Sequence, residues 1–111
     1  MTLVEFLNTR YDETEADAAN VHLWSCASSD WQPGRAACDC GQPDQIRRRV
    51  TAARGILRDA VSSRQWATDP HCPDLQRRTY QLRAGVLHDA CKCLAVEFAT
   101  HPDYRHEWDI T

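Results

Sequence analysis

"PDQIRRRVTAARGILRDAVSS", residues 43–63, is the stretch that decides the fold. Its apolar residues recur every three or four positions, the spacing of one face of an α-helix: Ile46, Val50, Ala53, Leu57 and Val61. Pro43 suits a first helical turn, and Asp44 favours the positive end of the helix dipole. We therefore predict a helix from Pro43 to about Ser63 with one face directed to a core.

The N-terminal residues predict an earlier helix over residues 3–20. Thr2 and Glu5 have the spacing of a capping box, in which each side chain bonds the backbone amide of the other. Apolar and small residues then follow at helical spacing: Leu3, Leu7, Thr14, Ala18 and Val21.

A third helix is predicted downstream, because Pro73-Asp74 repeats the start signal of the second. Apolar residues at steps of four and three continue it to about Ala99: Tyr80, Ala84, Leu87, Cys91, Leu94 and Phe98. His101-Pro102-Asp103 uses the same signal once more, and predicts the end of that helix and one last turn beginning at Pro102.

Between the first two helices lies "HLWSCASSDWQPGRAACDCGQ", residues 22–42, which follows neither helical nor strand periodicity. It predicts a folded loop, with room for a short strand pair. The expected fold class is therefore all-α: a small three-helix bundle with an irregular Cys- and Trp-containing loop between helices one and two and a short C-terminal helical turn. A chain of 111 residues is expected to form a single domain, residues 1–111.

The ends and composition of the chain favour a cytoplasmic location. The N-terminus has neither a basic segment nor a long apolar run, so no signal peptide is predicted. No stretch approaches the roughly 20 apolar residues of a membrane span. In a reducing compartment the six cysteines need an explanation other than disulfides.

Zinc binding is one explanation of the cysteines. A tetrahedral site needs four thiolate or imidazole ligands, and it can be drawn here from four of Cys38, Cys40, Cys72, His88 and Cys91. His88 and Cys91 are three residues apart and share a helix face, whereas Cys91 and Cys93 point about 200° apart. The alternative makes Cys91 and Cys93 small core residues and Cys72 a helix cap.

A reactive thiol is a second explanation. Cys40 and Cys72 each lie near a predicted helix N-terminus, where the helix dipole lowers the pKa of a thiol. Thiol chemistry also needs a positioned base, and the sequence nominates none. No phosphate-binding glycine loop is present, so the sequence favours a protein that is not an enzyme.

The charge of the chain is unevenly distributed. The net charge is −3, yet residues 41–83 carry nine arginines against four aspartates. Arg47, Arg54 and Arg58 share the face of helix two opposite its apolar stripe, which favours nucleic-acid binding. The acidic residues of helix one are an alternative partner for this arginine face.

Three segments resemble a family of unknown function from actinobacteria and their phages: "LVEFLNTRYDETEADA" (3–18), "PDQIRRRVTAARGIL" (43–57) and "LAVEFATHPDYRHEW" (94–108). The last is the specific one, and matches a closing His-Pro-Asp-Tyr-Arg-x-Glu-Trp motif from His101 to Trp108. Many members of that family have a Cys-x-x-Cys after the second helix. This chain lacks it there, so any metal site must use other positions.

Taken together, these patterns favour a phage- or actinobacterium-encoded module that binds a host or phage protein, with zinc as a candidate stabilising ion. Trp31 and Trp66 lie in or beside loops, where large aromatics often anchor interfaces; the alternative is that they cap the ends of the bundle. Nucleic-acid binding through the arginine face and thiol chemistry remain alternatives.

Overall fold

The structure, a computed structural model, describes residues 1–22 and 40–110. It contains three helices: α1 (Leu3–Asp17), α2 (Gln42–Thr68) and α3 (Asp74–Ala95). Short 3₁₀ turns follow at Ala18–Asn20, Val96–Phe98 and His106–Trp108. The described residues include no strand. The predicted all-α, three-helix fold is confirmed, while the predicted loop between α1 and α2 falls mostly outside the described residues.

Local signals fix where the first two helices begin. The Thr2 amide donates to Glu5 Oε2 at 2.9 Å, and the Glu5 amide donates to Thr2 Oγ1 at 3.2 Å, so the predicted capping box is present. Gly41 precedes α2 with a φ of 71°, in the left-handed region that glycine adopts without strain. Pro43 lies in the first turn of α2, as its sequence position predicts.

Two predicted boundaries are wrong. α2 continues past Ser63 to Thr68 and ends at Asp69, whose backbone is extended because it precedes Pro70. The loss of the apolar stripe after Val61 therefore does not end this helix; a proline does.

The final turn does not begin at Pro102 but spans His106–Trp108. The Asp103 amide donates to His101 Nδ1 at 3.0 Å, and the Tyr104 amide donates to the His101 carbonyl at 3.0 Å. These bonds close a tight turn around Pro102 that is not continued as a helix. The chain then passes through an extended residue, Arg105, before it turns again.

The core lies where α1 and the C-terminal segment pack on α2 and α3. Its buried members come from all three helices and the last turn: Leu3, Phe6, Leu7, Tyr11, Val50, Ala53, Leu57, Cys91, Ala95 and Trp108. Val21 is exposed, contrary to its place in the predicted stripe, because the helical segment ends at Asn20.

α1 is much shorter than the α2–α3 pair. At 1.5 Å per residue, the 27 residues of α2 span about 40 Å, and the 15 residues of α1 span about 22 Å. α1 runs antiparallel to α2: its Asp12 bonds Arg54, whereas Leu3, at its start, lines the same cavity as Val61. We call the part packed by α1 and the C-terminal segment the covered half, and residues 62–86 the hairpin tip.

Candidate functional site

Arg10 joins the two ends of the chain. It is 6% exposed, and its guanidinium hydrogen-bonds the ring of His101, in the closing motif. Its Nη2 donates to Glu13 Oε1 at 3.1 Å, and its charged group lies 5.3 Å from the centre of the Phe6 ring. Arg10 is the arginine of the opening segment, so the two ends that carry the family resemblance contact each other.

Phe6 is the centre of an aromatic cluster in the covered half. It is fully buried, and its ring lies 5.0 Å from Trp108 and 6.2 Å from both Tyr104 and Phe98, centre to centre. Tyr104 and Trp108 also contact each other edge to face, with ring centres 5.7 Å apart. The closing motif thus acts as a structural clasp on α1.

Burial controls the ionisable groups beside this cluster. Desolvation, with the negative charge of Glu97 as the next cause, raises the pKa of Tyr11 from 10.0 to about 12. Burial also raises the pKa of the Cys91 thiol. Both groups therefore remain neutral near pH 7, and Cys91 behaves as a small core residue.

The predicted zinc ligands are spread along the helices. Cys40 precedes α2 and Cys72 follows it, so the length of α2, about 40 Å, separates them. His88 and Cys91 line one cavity, in keeping with their shared face. Cys38 lies outside the described residues. Within residues 1–22 and 40–110 no three His, Cys, Asp or Glu side chains form a group suited to a metal; zinc binding stays a prediction.

One chemically relevant contact escaped the sequence reasoning. Cys40 Sγ lies 3.6 Å from His22 Nδ1, where the chain returns from residues 23–39 to begin α2. A thiol beside an imidazole and a helix N-terminus is a combination that activates cysteine nucleophiles. No spacing rule pairs two residues across such a loop, so the sequence offered no signal for this contact.

The arginine face of α2 is partly engaged by acids. Arg54 Nη2 bonds Asp12 Oδ1 at 2.6 Å and Glu15 Oε2 at 3.3 Å, and the hydrogen bond with Asp12 is the main cause of its raised pKa. Arg47 bonds Asp44 at 3.2 Å. Arg58 is exposed, and no acid among the described residues pairs with it. The acidic helix predicted as an alternative partner of this face does contact Arg54.

Of the two predicted tryptophan anchors, Trp31 lies outside the described residues and Trp66 lies in the hairpin tip. Trp66 is 49% exposed and stacks on Tyr80 of α3, with ring centres 6.0 Å apart and planes 21° apart. This stack connects α2 to α3 in the hairpin tip, the part of the helix pair that α1 does not cover. About half of the Trp66 surface remains exposed to solvent.

The largest apolar feature that the sequence reasoning missed is the outer face of α3, defined by Leu75, Leu82 and Val86. Their side chains are 86%, 67% and 69% exposed. At 3.6 residues per turn they fall within about 40° of one another around the helix, and exposed Cys93 continues the same line. The heptad-like spacing of these residues is a signal for this face, but the stripe from Tyr80 to Phe98 has the same helical period and predicts a different face.

Basic side chains flank the outer face. Arg78 and Lys92 lie along one edge of it and Arg83 along the other, by their helical positions. Arg83 also lies 3.8 Å from Asp59 of α2. Asp89 is the acidic residue within the line.

A comparison with protein families matches nearly the whole chain. A model of a family of unknown function, DUF6221, matches residues 1–110. The chain belongs to this family. Searches of curated proteins and of solved structures find no match. Among the described residues, no helix has both the length and the apolar character needed to cross a membrane.

Proposed function

We propose that this DUF6221 member is a small protein-binding module, and that the outer face of α3 is its docking surface. The observation that carries the proposal is the line of Leu75, Leu82 and Val86, exposed on the side of α3 away from α1 and α2. Exposed apolar residues aligned on one helix face are a common feature of surfaces on which another helix docks. The actinobacterial or phage source belongs to the proposal through the family resemblance, and a cytoplasmic location is proposed with it.

The proposed occupant is an amphipathic helix of another protein, whose apolar stripe is bordered by acidic residues. A heptad-like line on one helix fits the apolar seam of a second helix. Full burial of a leucine or valine contributes about 1.5–3 kcal/mol, so three such residues supply a useful driving force. Arg78, Arg83 and Lys92 favour acidic flanks on the partner through charge complementarity.

Peptides test this occupant directly. One synthetic helix carries leucines in a heptad line with glutamate flanks, and its matched control carries the same leucines with lysine flanks. We expect the glutamate peptide to bind the full chain and the Leu82→Gln/Val86→Gln variant to lose that binding. Ile110→Gln is the control variant, since Ile110 is 55% exposed and lies outside the outer face.

The same variants distinguish binding of a partner helix from dimerisation of the chain through the outer face of α3. Multi-angle light scattering of the wild-type chain should show a mass that the Leu82→Gln/Val86→Gln change leaves unaltered. A wild-type dimer that this variant dissolves would make a second copy the occupant. Equal binding of the two peptides would contradict the acidic helix. If the glutamate peptide binds as expected, affinity capture with the full chain from a lysate of an actinobacterial host, uninfected or phage-infected, would identify the host or phage partner.

Nucleic-acid binding remains the alternative, and Arg58 supports it as an exposed arginine without an acidic partner among the described residues. It predicts gel shifts of DNA or RNA that weaken with salt and with Arg47, Arg54 and Arg58 changed to alanine. Because Arg54 is bonded to Asp12 and Glu15, Arg58→Ala alone should carry more of the effect than Arg54→Ala.

A second candidate function, thiol chemistry, is favoured by the contact between Cys40 and His22. The imidazole would accept the thiol proton, and the resulting thiolate would attack an electrophile. Iodoacetamide should alkylate Cys40 faster than exposed Cys93, with a new sulfur–carbon bond and release of iodide. His22→Gln should remove that advantage; equal rates at the two cysteines would argue against an activated thiol.

Zinc stabilisation is the remaining element of the proposal. Elemental analysis of the purified chain tests it, and a stoichiometric metal would identify cysteines as ligands. Cys40 and Cys72 lie at opposite ends of α2, so Cys40→Ser and Cys72→Ser should affect any bound metal unequally. Equal loss in both variants would contradict that expectation.

A further inference from the structure

We propose that the cavity at the start of α1 binds a small amphipathic anion, namely a medium-length apolar chain that ends in a carboxylate. The cavity has a volume of about 380 Å³, within the roughly 300–1,000 Å³ typical of small-molecule sites. It lies between the first turn of α1 and the facing sides of α2 and α3. Since the outer face of α3 is on another side of that helix, this site is independent of the proposed protein docking.

The interior of the cavity suits a hydrocarbon chain. Its apolar wall comes from all three helices: Leu3, Val4, Ala60, Val61, Ala84 and Cys91. Leu3 and Cys91 are almost fully buried. The small side chains of Ala60 and Ala84 are half-buried there. The cavity arises because α1 begins here, so that the groove between α2 and α3 continues without a helix to fill it.

The polar lining favours an anionic group over a neutral one. Arg64 lines the cavity, and no acid in the described part of the chain forms an ion pair with it. His88 lies on the α3 side and supplies a ring nitrogen as a further hydrogen-bond donor. A guanidinium binds a carboxylate through two parallel hydrogen bonds, a geometry that a neutral alcohol does not reproduce.

The acid that lines the cavity does not compete for Arg64. Glu5 Oε2 accepts the Thr2 amide at 2.9 Å within the capping box, so this carboxylate is held at the start of α1. The first turn of α1 also carries the partial positive charge of a helix N-terminus. The charges of Arg64 and Glu5 offset each other over the cavity as a whole, so Arg64 and His88 are the groups that would hold the carboxylate, with the apolar end of the ligand against Val61 and Ala84.

Titration of the full chain with octanoate, followed by amide NMR, tests the proposal. We expect octanoate to bind more tightly than 1-octanol, a neutral molecule of the same chain length, and to shift the amide signals of Val61, Ala84 and His88. Arg64→Gln should weaken octanoate binding about tenfold, as expected for a hydrogen bond to a charged group. Arg58→Gln is the matched control, because Arg58 is exposed on the same helix but does not line the cavity.

A charge pair at Val61 provides a second test that leaves the core intact, since Val61 is 38% exposed. Val61→Glu should abolish octanoate binding by repulsion, whereas Val61→Lys should retain it. Leu82→Gln should also retain it, which separates the cavity from the outer face of α3. Equal affinities for octanoate and 1-octanol, equal losses in Arg64→Gln and Arg58→Gln, or no binding at all would each overturn the proposal.

Discussion

Trp108 and Trp66 show how differently the two parts of the molecule use the same residue type. In the covered half, Trp108, the last residue of the closing motif, is 5% exposed and packs on Phe6. In the hairpin tip, Trp66 is 49% exposed and has a stacked neighbour, Tyr80. The apolar surface of Trp108 is removed from water by contacts inside the chain. About half of the surface of Trp66 remains in contact with water.

The same contrast holds along α3. Near its C-terminal end, Cys91 and Ala95 are buried against α1, whereas Leu82 and Val86 are exposed on its outer face. The segments at the two ends of the chain pack against each other in the core. Large apolar side chains remain exposed on the outer face of α3, away from that core.

Trp108→Ala should have the largest effect. Truncation of a buried tryptophan costs about 3–5 kcal/mol, because it removes apolar contact and leaves a cavity beside Phe6. Trp66→Ala should cost about 0.5–1.5 kcal/mol, the contribution of an aromatic pair. Urea denaturation of both variants measures the difference. Similar losses would mean that the hairpin tip is packed as firmly as the covered half.

His101→Ala should follow, with a loss of about 1–3 kcal/mol, because buried Arg10 keeps its charge but loses a hydrogen-bond partner. The matched control is His106→Ala in the same motif. His106 is fully exposed and lies 3.6 Å from Asp109, and surface changes of this kind stay within about 0.5 kcal/mol.

A double-mutant cycle sharpens the same prediction. In an Arg10→Met background no buried charge remains to be satisfied, so His101→Ala should cost less there than in the wild-type chain. A coupling energy above about 0.5 kcal/mol is expected for residues in direct contact. Additive losses would indicate that His101 stabilises the covered half through its turn with Asp103 rather than through Arg10.

The sequence predicts the features of the fold that depend on residues close together in the chain. The Thr2–Glu5 capping box depends on residues three positions apart, and it appears in the structure as expected. The contact of Arg10 with His101 joins residues 91 positions apart. No periodicity encodes such a pair, so the resemblance marked the two segments without showing that they touch.

The outer face of α3 illustrates a second limit. The helix carries two apolar lines, one through Leu87 and Cys91 and the other through Leu82 and Val86. Periodicity gives both lines a helical spacing but does not tell which one meets a neighbour. Only the packing of α1 and α2 decides it, and that packing depends on the whole chain.

The raised pKa of Tyr11 predicts that the free energy of unfolding depends on the ionisation of this residue only under alkaline conditions. Its pKa in the fold is about 12 against an ordinary value of 10.0, so the folded state holds this proton more tightly than the unfolded state. The resulting stability is fully present below pH 10 and is lost as the pH rises through about 12.

Urea midpoints measured across that alkaline range should fall less steeply for Tyr11→Phe, which has no phenolic proton to lose. The hydroxyl lies 3.5 Å from Glu97 Oε1, a long hydrogen bond, so near pH 7 the variant should resemble the wild-type chain. A parallel decline of both proteins would assign the alkaline loss to other groups. Tyr104 is one such group, since its pKa is also raised, by desolvation and by its bond to Asp109.

The smallest effect on stability is expected for Leu82→Gln/Val86→Gln. Both side chains already face water in the folded state, so their replacement removes little buried area, and the free energy of unfolding should change by no more than about 0.5 kcal/mol. Leu7→Ala in the covered half should cost about 2–5 kcal/mol, because Leu7 is fully buried. Unchanged stability together with lost peptide binding would separate docking from folding. A stability loss near that of Leu7→Ala would instead show that the outer face of α3 is part of the core.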